Sequence, residues 1–169
     1  MKHNFSKKIA LASVLIALAV VGGTLSLPVL GAKCAPVQHM VNVIAGILLG
    51  PVYSVGIAFL ASLIRVMMGV GSILAFSGSI FGGFLAGLSY KLWKKEQFAF
   101  LGELIGTGVI GGISSYPIAK YLMGNEVAVF AFVIPFTISS TAGVILGFIC
   151  LSTLKASGLL VQWQEISSI

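Results

Sequence analysis

Polar side chains crowd one short run of an otherwise apolar sequence, the run Lys33–Pro51. Gln38, His39 and Asn42 stand there directly before a long apolar stretch. His39 and Asn42 are three residues apart, so a helix would place them on one face. Amide and imidazole groups both donate and accept hydrogen bonds, which suits the recognition of a small polar molecule. The alternative is that these side chains only bond loop carbonyls freed by Pro36.

Two ionisable residues, Glu103 and Arg65, fall well inside long apolar segments. Such residues are costly within a membrane and mark functional positions by default. Thr107 follows Glu103 by one helical turn, so these two side chains share a face. We interpret Glu103 and Thr107 as the floor of a ligand pocket or as a cap on neighbouring backbone. A direct ion pair between Glu103 and Arg65 is the alternative, although the two residues fall towards opposite ends of their segments.

A third group combines aromatic and hydroxyl side chains. Tyr116 falls near the end of the fifth apolar segment, and Phe136 and Ser139 follow Pro135 in the sixth. An aromatic wall with a few hydroxyl groups is typical of a pocket for a small heteroaromatic ligand. Alternatively, the hydroxyl groups repair the backbone bonds that the proline removes.

The sequence offers little for catalysis. The chain contains no aspartate, and His3 is the one histidine besides His39. It contains no HExxH, GxSxG or phosphate-binding loop motif. An enzyme is therefore not expected, and neither is a bound metal or cofactor. Cys34 and Cys150 are predicted on opposite sides of a membrane, where they cannot form a disulfide.

The composition predicts a membrane protein. Hydrophobic residues make up 58% of the chain and charged residues 8%, whereas soluble domains carry about 25% charged residues. A chain of 169 residues has room for about six membrane spans of roughly 20 residues. We expect one domain over residues 1–169, an all-α compact bundle whose first span is the N-terminal apolar run rather than a cleaved signal. The expected spans are 8–27, 37–50, 52–68, 78–92, 98–122 and 127–154.

Small residues recur four positions apart, as in Gly78-x-x-x-Gly82 and Gly102-x-x-x-Gly106. Small residues at this spacing let helices approach closely in a membrane, where apolar burial alone does not drive association. The pattern indicates tight packing of the later spans.

Lysine placement predicts the orientation. The segments expected inside the cell hold Lys2, Lys7, Lys8, Lys91, Lys94, Lys95 and Lys155. The expected outer loops hold only Lys33 and Lys120. Because lysine and arginine concentrate on the cytoplasmic side, both termini are expected in the cytoplasm and the polar run outside. The net charge of +6 is thus explained without nucleic acid, for which the chain shows no basic face with interleaved aromatics.

Three blocks of the sequence resemble the thiazole-type (ThiW) S components of energy-coupling factor transporters. They read QHMVNVIAGILLGP, ASLIRVMMGVGSILAFSGSIFGGFLAGLSYK and LGELIGTGVIGG. The resemblance implies a six-helix substrate-binding subunit in the plasma membrane of a prokaryote. Such subunits capture a vitamin precursor, here hydroxyethylthiazole, from outside. A transmembrane coupling (T) component and two ABC-type ATPases then use ATP to deliver it inwards, so the chain itself would carry no cofactor.

The same resemblance implies a coupling surface on the first span. The family's Ala-x-x-x-Ala pattern falls here on Ser13 and Ala17, so serine replaces the first alanine. A second departure lies in the family's AFPGS segment, where Ser77 stands in place of proline. Ser13 is still small enough for close helix approach.

The implied cargo is a neutral ring with an alcohol. Gln38, His39 and Asn42 would donate hydrogen bonds to it, Tyr116 and Phe136 would stack on the ring, and a deep pocket would bring in Glu103, Thr107 and Ser139. A neutral cargo gives Lys33 no role. Two alternatives stay open: an S component for another thiamine-related or small heteroaromatic precursor, and a membrane scaffold in which the polar residues only repair helix breaks.

Overall fold

A computed structural model describes residues 2–159, with side chains from residue 5 onward. The side chain of Lys2 therefore lies outside the described part of the chain. Along the described residues, six helices and one short hairpin follow each other. Their bounds are α1 Lys2–Gly22, β1 Leu27–Val29, β2 Ala32–Cys34, α2 Pro36–Leu49, α3 Pro51–Met67, α4 Leu74–Trp93, α5 Glu96–Leu122 and α6 Val133–Ala156.

The prediction of an all-α membrane bundle is confirmed. Among the described residues, three helical segments are long and apolar enough to cross a membrane: Phe5–Leu25, Glu96–Leu122 and Val133–Ala156. Helices α2 and α3 are apolar but shorter, with 14 and 17 residues. The orientation of the termini stays a prediction.

Prolines and glycines explain most helix boundaries. Pro36 and Pro51 begin α2 and α3, where a missing N–H costs nothing because the first helical N–H groups have no partner within the helix. Gly50 joins the two helices with a φ of 84°, a backbone conformation that favours glycine. Helix α6 begins at Val133 rather than at the expected residue 127, so Pro135 falls in its first turn.

A hairpin closes one end of the bundle, and the sequence analysis missed it. Strands β1 and β2 pair antiparallel, with Val29 opposite Ala32. The two turn residues between them, Leu30 and Gly31, both have positive φ, 47° and 80°, as a type I′ turn requires. Leucine is an unusual residue in that conformation, so the turn carried no familiar sequence signal.

Helix α5 has π-helical geometry over Leu104–Gly111 and again over Ile118–Leu122. It lies directly against α4, because Gly102 and Gly106 have no side chain to separate the two backbones. A Cβ at either glycine would meet the carbonyl groups of Leu85 and Phe81 on α4. The predicted close packing at this glycine pair is therefore a contact of α5 with α4.

Helix α2 packs against all five of the other helices. Val43 and Ala45 are completely buried and belong to an apolar core that also includes Leu15 of α1 and Ile57 of α3. The polar residues at the start of α2 thus lie on a largely buried helix, next to neighbours that can supply partners for them.

Candidate ligand-binding site

A cavity of about 340 Å³ lies between the hairpin and the start of α2. The link between α3 and α4, the first turns of α4, and residues 123–139 complete its wall. Leu74, Phe132 and Phe136 make part of the wall apolar. The polar residues that line it are Lys33, Gln38, His39, Arg65, Ser72, Ser79, Asn125 and Ser139.

The predicted site residues divide into three groups by place. Gln38, His39, Phe136 and Ser139 line the cavity. A second group, Asn42, Glu103 and Thr107, does not line it but contacts His39 or its partners. Tyr116 lies outside the lining, and its hydroxyl accepts a hydrogen bond from Lys120 at 3.1 Å.

Directly behind the cavity wall, several side chains converge on one carboxylate oxygen. Nδ1 of His39 lies 2.8 Å from Oε1 of Glu103. The hydroxyl of Thr107 donates to the same oxygen at 2.8 Å, and the amide of Asn42 approaches it at 3.3 Å. The polar run on α2 and the predicted floor on α5 are therefore one connected network, which the sequence analysis treated as two separate groups.

Glu103 is fully buried, and the structure makes room for it. Its second oxygen, Oε2, has no hydrogen-bond partner among the described residues. Gly82 of α4 faces the carboxylate, and a Cβ there would overlap the Thr107 hydroxyl and lie 2.6 Å from Oε2. A buried carboxylate without a counter-charge is costly, so its contact with the His39 imidazole is the natural compensation.

The network also determines which imidazole nitrogen is available to a ligand. Because Nδ1 of His39 faces Glu103, it carries the hydrogen in the neutral ring. The side-chain hydrogen bonds of His39 among the described residues run through Nδ1, which leaves Nε2 for a ligand. A neutral His39 would therefore offer Nε2 as an acceptor, and a protonated His39 would offer it as a donor.

Asn42 holds neighbouring helices in place. Its amide donates to the Ser79 carbonyl at 3.1 Å, and the Ser79 hydroxyl donates to its side-chain oxygen at 3.2 Å. Its own carbonyl accepts from the Ser54 hydroxyl at 3.1 Å. These bonds connect α2 with α3 and α4, so Asn42 positions the cavity wall rather than bonding loop carbonyls near Pro36.

Arg65 reaches the cavity from α3, a role that the sequence analysis missed. Its guanidinium donates to Oε1 of Gln38 and, at 3.4 Å, to the carbonyl of Gly23. Gln38 in turn donates to the Ser62 hydroxyl at 3.0 Å. The alternative of an ion pair between Arg65 and Glu103 is not formed. The signal for this residue was its position as the single arginine of the sequence, within an apolar segment.

The hairpin is fastened to α6 next to the cavity. The N–H of Ala35 donates to the Ser139 hydroxyl at 2.9 Å, and the Cys34 thiol donates to the Pro135 carbonyl at 3.2 Å. Burial raises the pKa of the Cys34 thiol above its ordinary value. Phe132, which the sequence analysis did not single out, pairs with Phe136 at 6.1 Å between ring centroids.

The residues predicted for partner coupling lie outside the cavity lining. Ser13 and Ala17 are exposed on α1. The Ser13 hydroxyl donates to the Ile9 carbonyl at 3.0 Å. Ser13 also lines an open apolar groove of about 270 Å³ between α1 and α3, together with Tyr53 and Gly56.

Metal binding finds no support in the described part of the chain. No cluster of three or more histidine, cysteine, aspartate or glutamate side chains that could hold a metal ion is present among these residues. Cys34 and Cys150 are both free thiols.

The fold and the site define a membrane protein that encloses a small-molecule cavity among its helices. A family model described as thiamine-precursor transporter protein (ThiW) matches residues 9–157. The chain therefore belongs to the ThiW family of thiamine-precursor transporters, as its sequence resemblance implied. No curated protein and no solved structure matches the chain.

Proposed function

We propose that this chain is the substrate-capture subunit (S component) of an energy-coupling factor importer. In this proposal it binds hydroxyethylthiazole from outside the cell and releases it inwards when coupled to a T component and two ABC-type ATPases. The ATPases use the ATP, and the chain itself needs no cofactor. The chain would span the plasma membrane of a prokaryote several times. Family membership supports the general activity, and the cavity supports the cargo class.

The observation that carries the proposal is the composition of the cavity wall. A volume of about 340 Å³ is at the small end of ligand sites, which run from about 300 to 1,000 Å³. Phe132 and Phe136 offer an apolar face for a small ring, while Gln38 and His39 offer hydrogen-bonding groups beside it. A neutral thiazole with one alcohol needs this combination of an apolar wall and a few polar atoms.

The His39–Glu103 contact suggests how the alcohol is recognised. With Nδ1 donating to Glu103, a neutral His39 would accept a hydrogen bond from the alcohol at Nε2. Gln38 is already engaged with Ser62 and Arg65, so its side chain is held in one orientation before cargo arrives. Such preorganisation lowers the entropic cost of binding.

The proposed test is equilibrium binding of radiolabelled hydroxyethylthiazole to the purified chain in detergent. We expect saturable binding that His39→Ala weakens by about tenfold or more, because a buried polar contact is worth on the order of 1–3 kcal/mol. Thr153→Ala, an exposed change on α6, is the matched control and should bind like the unmodified chain.

The outcomes separate this proposal from its competitors. One outcome is that the chain binds a different thiamine-related or heteroaromatic compound saturably and hydroxyethylthiazole not at all. That result would identify the other compound as the cargo. Absence of saturable binding for every such compound would favour a membrane scaffold and contradict the capture function.

A further inference from the structure

Arg65 is a buried cation without an anionic partner in the part of the chain that the structure describes. Its side chain is 2% exposed, and its bonds go to two neutral oxygens, the amide oxygen of Gln38 and the carbonyl of Gly23. Nε of Arg65 has no hydrogen-bond partner among residues 2–159. Among the described residues, neither the Lys155–Glu96 ion pair nor the His39–Glu103 contact involves Arg65. The positive charge of Arg65 is therefore uncompensated where the cavity begins.

The fold is shaped to hold this guanidinium. A Cβ at Gly23 would overlap its Nε and Cζ atoms, and a Cβ at Gly71 would lie 2.9 Å from the Cβ of Arg65. Two glycines, one after α1 and one after α3, thus leave the space that the side chain occupies. Because Arg65 lines the cavity and is hidden from the outer surface of the bundle, a ligand inside the cavity can reach it and a lipid headgroup cannot.

Lys33 of strand β2 brings a second positive charge to the same cavity. Its ammonium makes one long hydrogen bond, 3.4 Å to the carbonyl of Val70, and its side chain is exposed. The described residues that line the cavity include these two cations and no carboxylate. Glu103 lies behind the wall and is already bonded by His39, Asn42 and Thr107.

A buried guanidinium without a counter-ion is unfavourable, because its desolvation is not repaid by an opposite charge. The planar guanidinium presents parallel N–H donors that match the oxygens of a phosphate or a carboxylate. A neutral alcohol uses only one donor and leaves the charge uncompensated. An anionic group in the cavity would satisfy both needs at once.

We propose that Arg65 and Lys33 form an anion-binding end of the cavity, so that the chain binds thiazoles carrying an anionic group more tightly than the neutral alcohol. The anionic group is a phosphate monoester on the alcohol oxygen or a carboxylate in its place. This inference rests on the proposed function, because it takes the thiazole ring as the part common to all cargoes. It adds a charge preference that a neutral cargo does not require.

The test compares four probes on the purified full-length chain by competition against radiolabelled hydroxyethylthiazole. The probes are the unlabelled alcohol, its phosphate monoester, the analogue with a carboxymethyl group in place of hydroxyethyl, and inorganic phosphate. We expect at least one anionic thiazole to bind tenfold or more tightly than the alcohol, and inorganic phosphate to compete only weakly. The two anionic probes show whether a phosphate or a carboxylate is preferred.

Substitutions then show which residues cause the preference for an anionic thiazole. Arg65→Gln should remove most of the advantage of the anionic thiazole over the alcohol, measured as the ratio of their two affinities, so that any effect on both cargoes through Gln38 cancels. Lys33→Gln, on an exposed strand residue, should reduce the advantage less and is the informative variant if Arg65→Gln does not fold. Lys95→Gln removes an equal charge from an exposed loop residue away from the cavity and should change nothing.

Equal affinity of the unmodified chain for alcohol and anionic thiazoles overturns the inference and leaves the capture function intact. So does an advantage that both Arg65→Gln and Lys33→Gln leave unchanged, or inorganic phosphate competing as well as the anionic thiazoles. Failure of the labelled alcohol to bind, with no binding of either anionic thiazole in a direct titration, contradicts the capture function and this inference together.

Discussion

The most informative single substitution is Glu103→Gln, which removes the buried charge and keeps the shape. His39, Asn42 and Thr107 all approach Oε1 of Glu103, at 2.8, 3.3 and 2.8 Å. A glutamine can keep an oxygen at this point, and its NH₂ group then takes the place of Oε2, which has no partner within the described residues. The substitution therefore tests the charge rather than the space.

The expected magnitude follows from the hydrogen bonds. Those to a charged group are worth about 1.5–3 kcal/mol and neutral ones about 0.5–1.5 kcal/mol, so each bond weakens by about 1 kcal/mol. Because the three bonds share one acceptor, their losses do not add fully. We expect Glu103→Gln to lower the free energy of unfolding by about 2 kcal/mol. The weaker hold on His39 should also reduce cargo affinity by about tenfold, which corresponds to 1.4 kcal/mol.

Glu96→Gln is the matched control for this substitution. Glu96 accepts a hydrogen bond from the Lys155 ammonium at 2.8 Å. This pair lies at the surface, where the lysine side chain is 53% exposed. Surface pairs contribute about 0–1 kcal/mol, so Glu96→Gln should lower stability slightly and leave binding unchanged. Thermal unfolding in detergent and binding of labelled hydroxyethylthiazole measure both quantities. Equal behaviour of the two variants would refute the role assigned to the buried carboxylate.

Three further predictions concern space, chemistry and coupling. Gly82→Ala should destabilise the bundle by about 1–3 kcal/mol through overpacking against the buried carboxylate, whereas Gly56→Ala, which has open space around its Cβ, should have little effect on unfolding. In a Cys150→Ser background, Cys34 should react with a maleimide far more slowly in the folded chain than in denaturant at pH 7.5. Its raised pKa means that the rate should increase as the pH rises above the ordinary thiol range. Ser13→Leu should leave binding intact and abolish uptake and co-purification with the T component.

Each of these predictions has a result that would contradict it. Equal unfolding of the Gly82→Ala and Gly56→Ala chains would mean that α4 tolerates a side chain against α5. Equally fast labelling of folded and denatured chains would show that Cys34 is accessible as a thiolate. Loss of binding with Ser13→Leu, together with retained co-purification, would remove the coupling role from this face of α1.

Most of the helices could be predicted because long apolar runs and prolines at their boundaries indicate membrane helices in a sequence. Pro36 and Pro51 mark the starts of α2 and α3 within a residue of the expected positions. The start of α6 was harder, because the apolar run extends from Val127 without a break. Only the rule that proline is tolerated in a first turn distinguishes Val133 from the earlier residues.

The connection between His39 and Glu103 could not be read from the sequence. Topology placed the first near the outer face and the second near the inner end of its span. Helix α2 has 14 residues, about 21 Å at 1.5 Å per residue, which is shorter than the roughly 30 Å hydrocarbon core. Its polar start is therefore set deep in the bundle and covered by the hairpin, within reach of α5.

For Arg65, the sequence indicated a functional position but not the residues that it contacts. Its burial in an apolar segment was evident, and such residues are expected to be functional. Its partners were not, because Gln38 lies on another helix and Gly23 contributes only a carbonyl group. Lys33 was set aside for a neutral cargo, whereas the cavity wall includes both cations. Charges that converge from distant segments become visible only when the helices are assembled.

The central claim is that the cavity below the hairpin is where a thiamine precursor binds. The most direct measurement is an experimental structure of the purified chain with hydroxyethylthiazole bound. We expect ligand density enclosed between the hairpin and the start of α2, in contact with His39 and Phe136. Density at another place on the chain, or an empty cavity at saturating ligand, would contradict it.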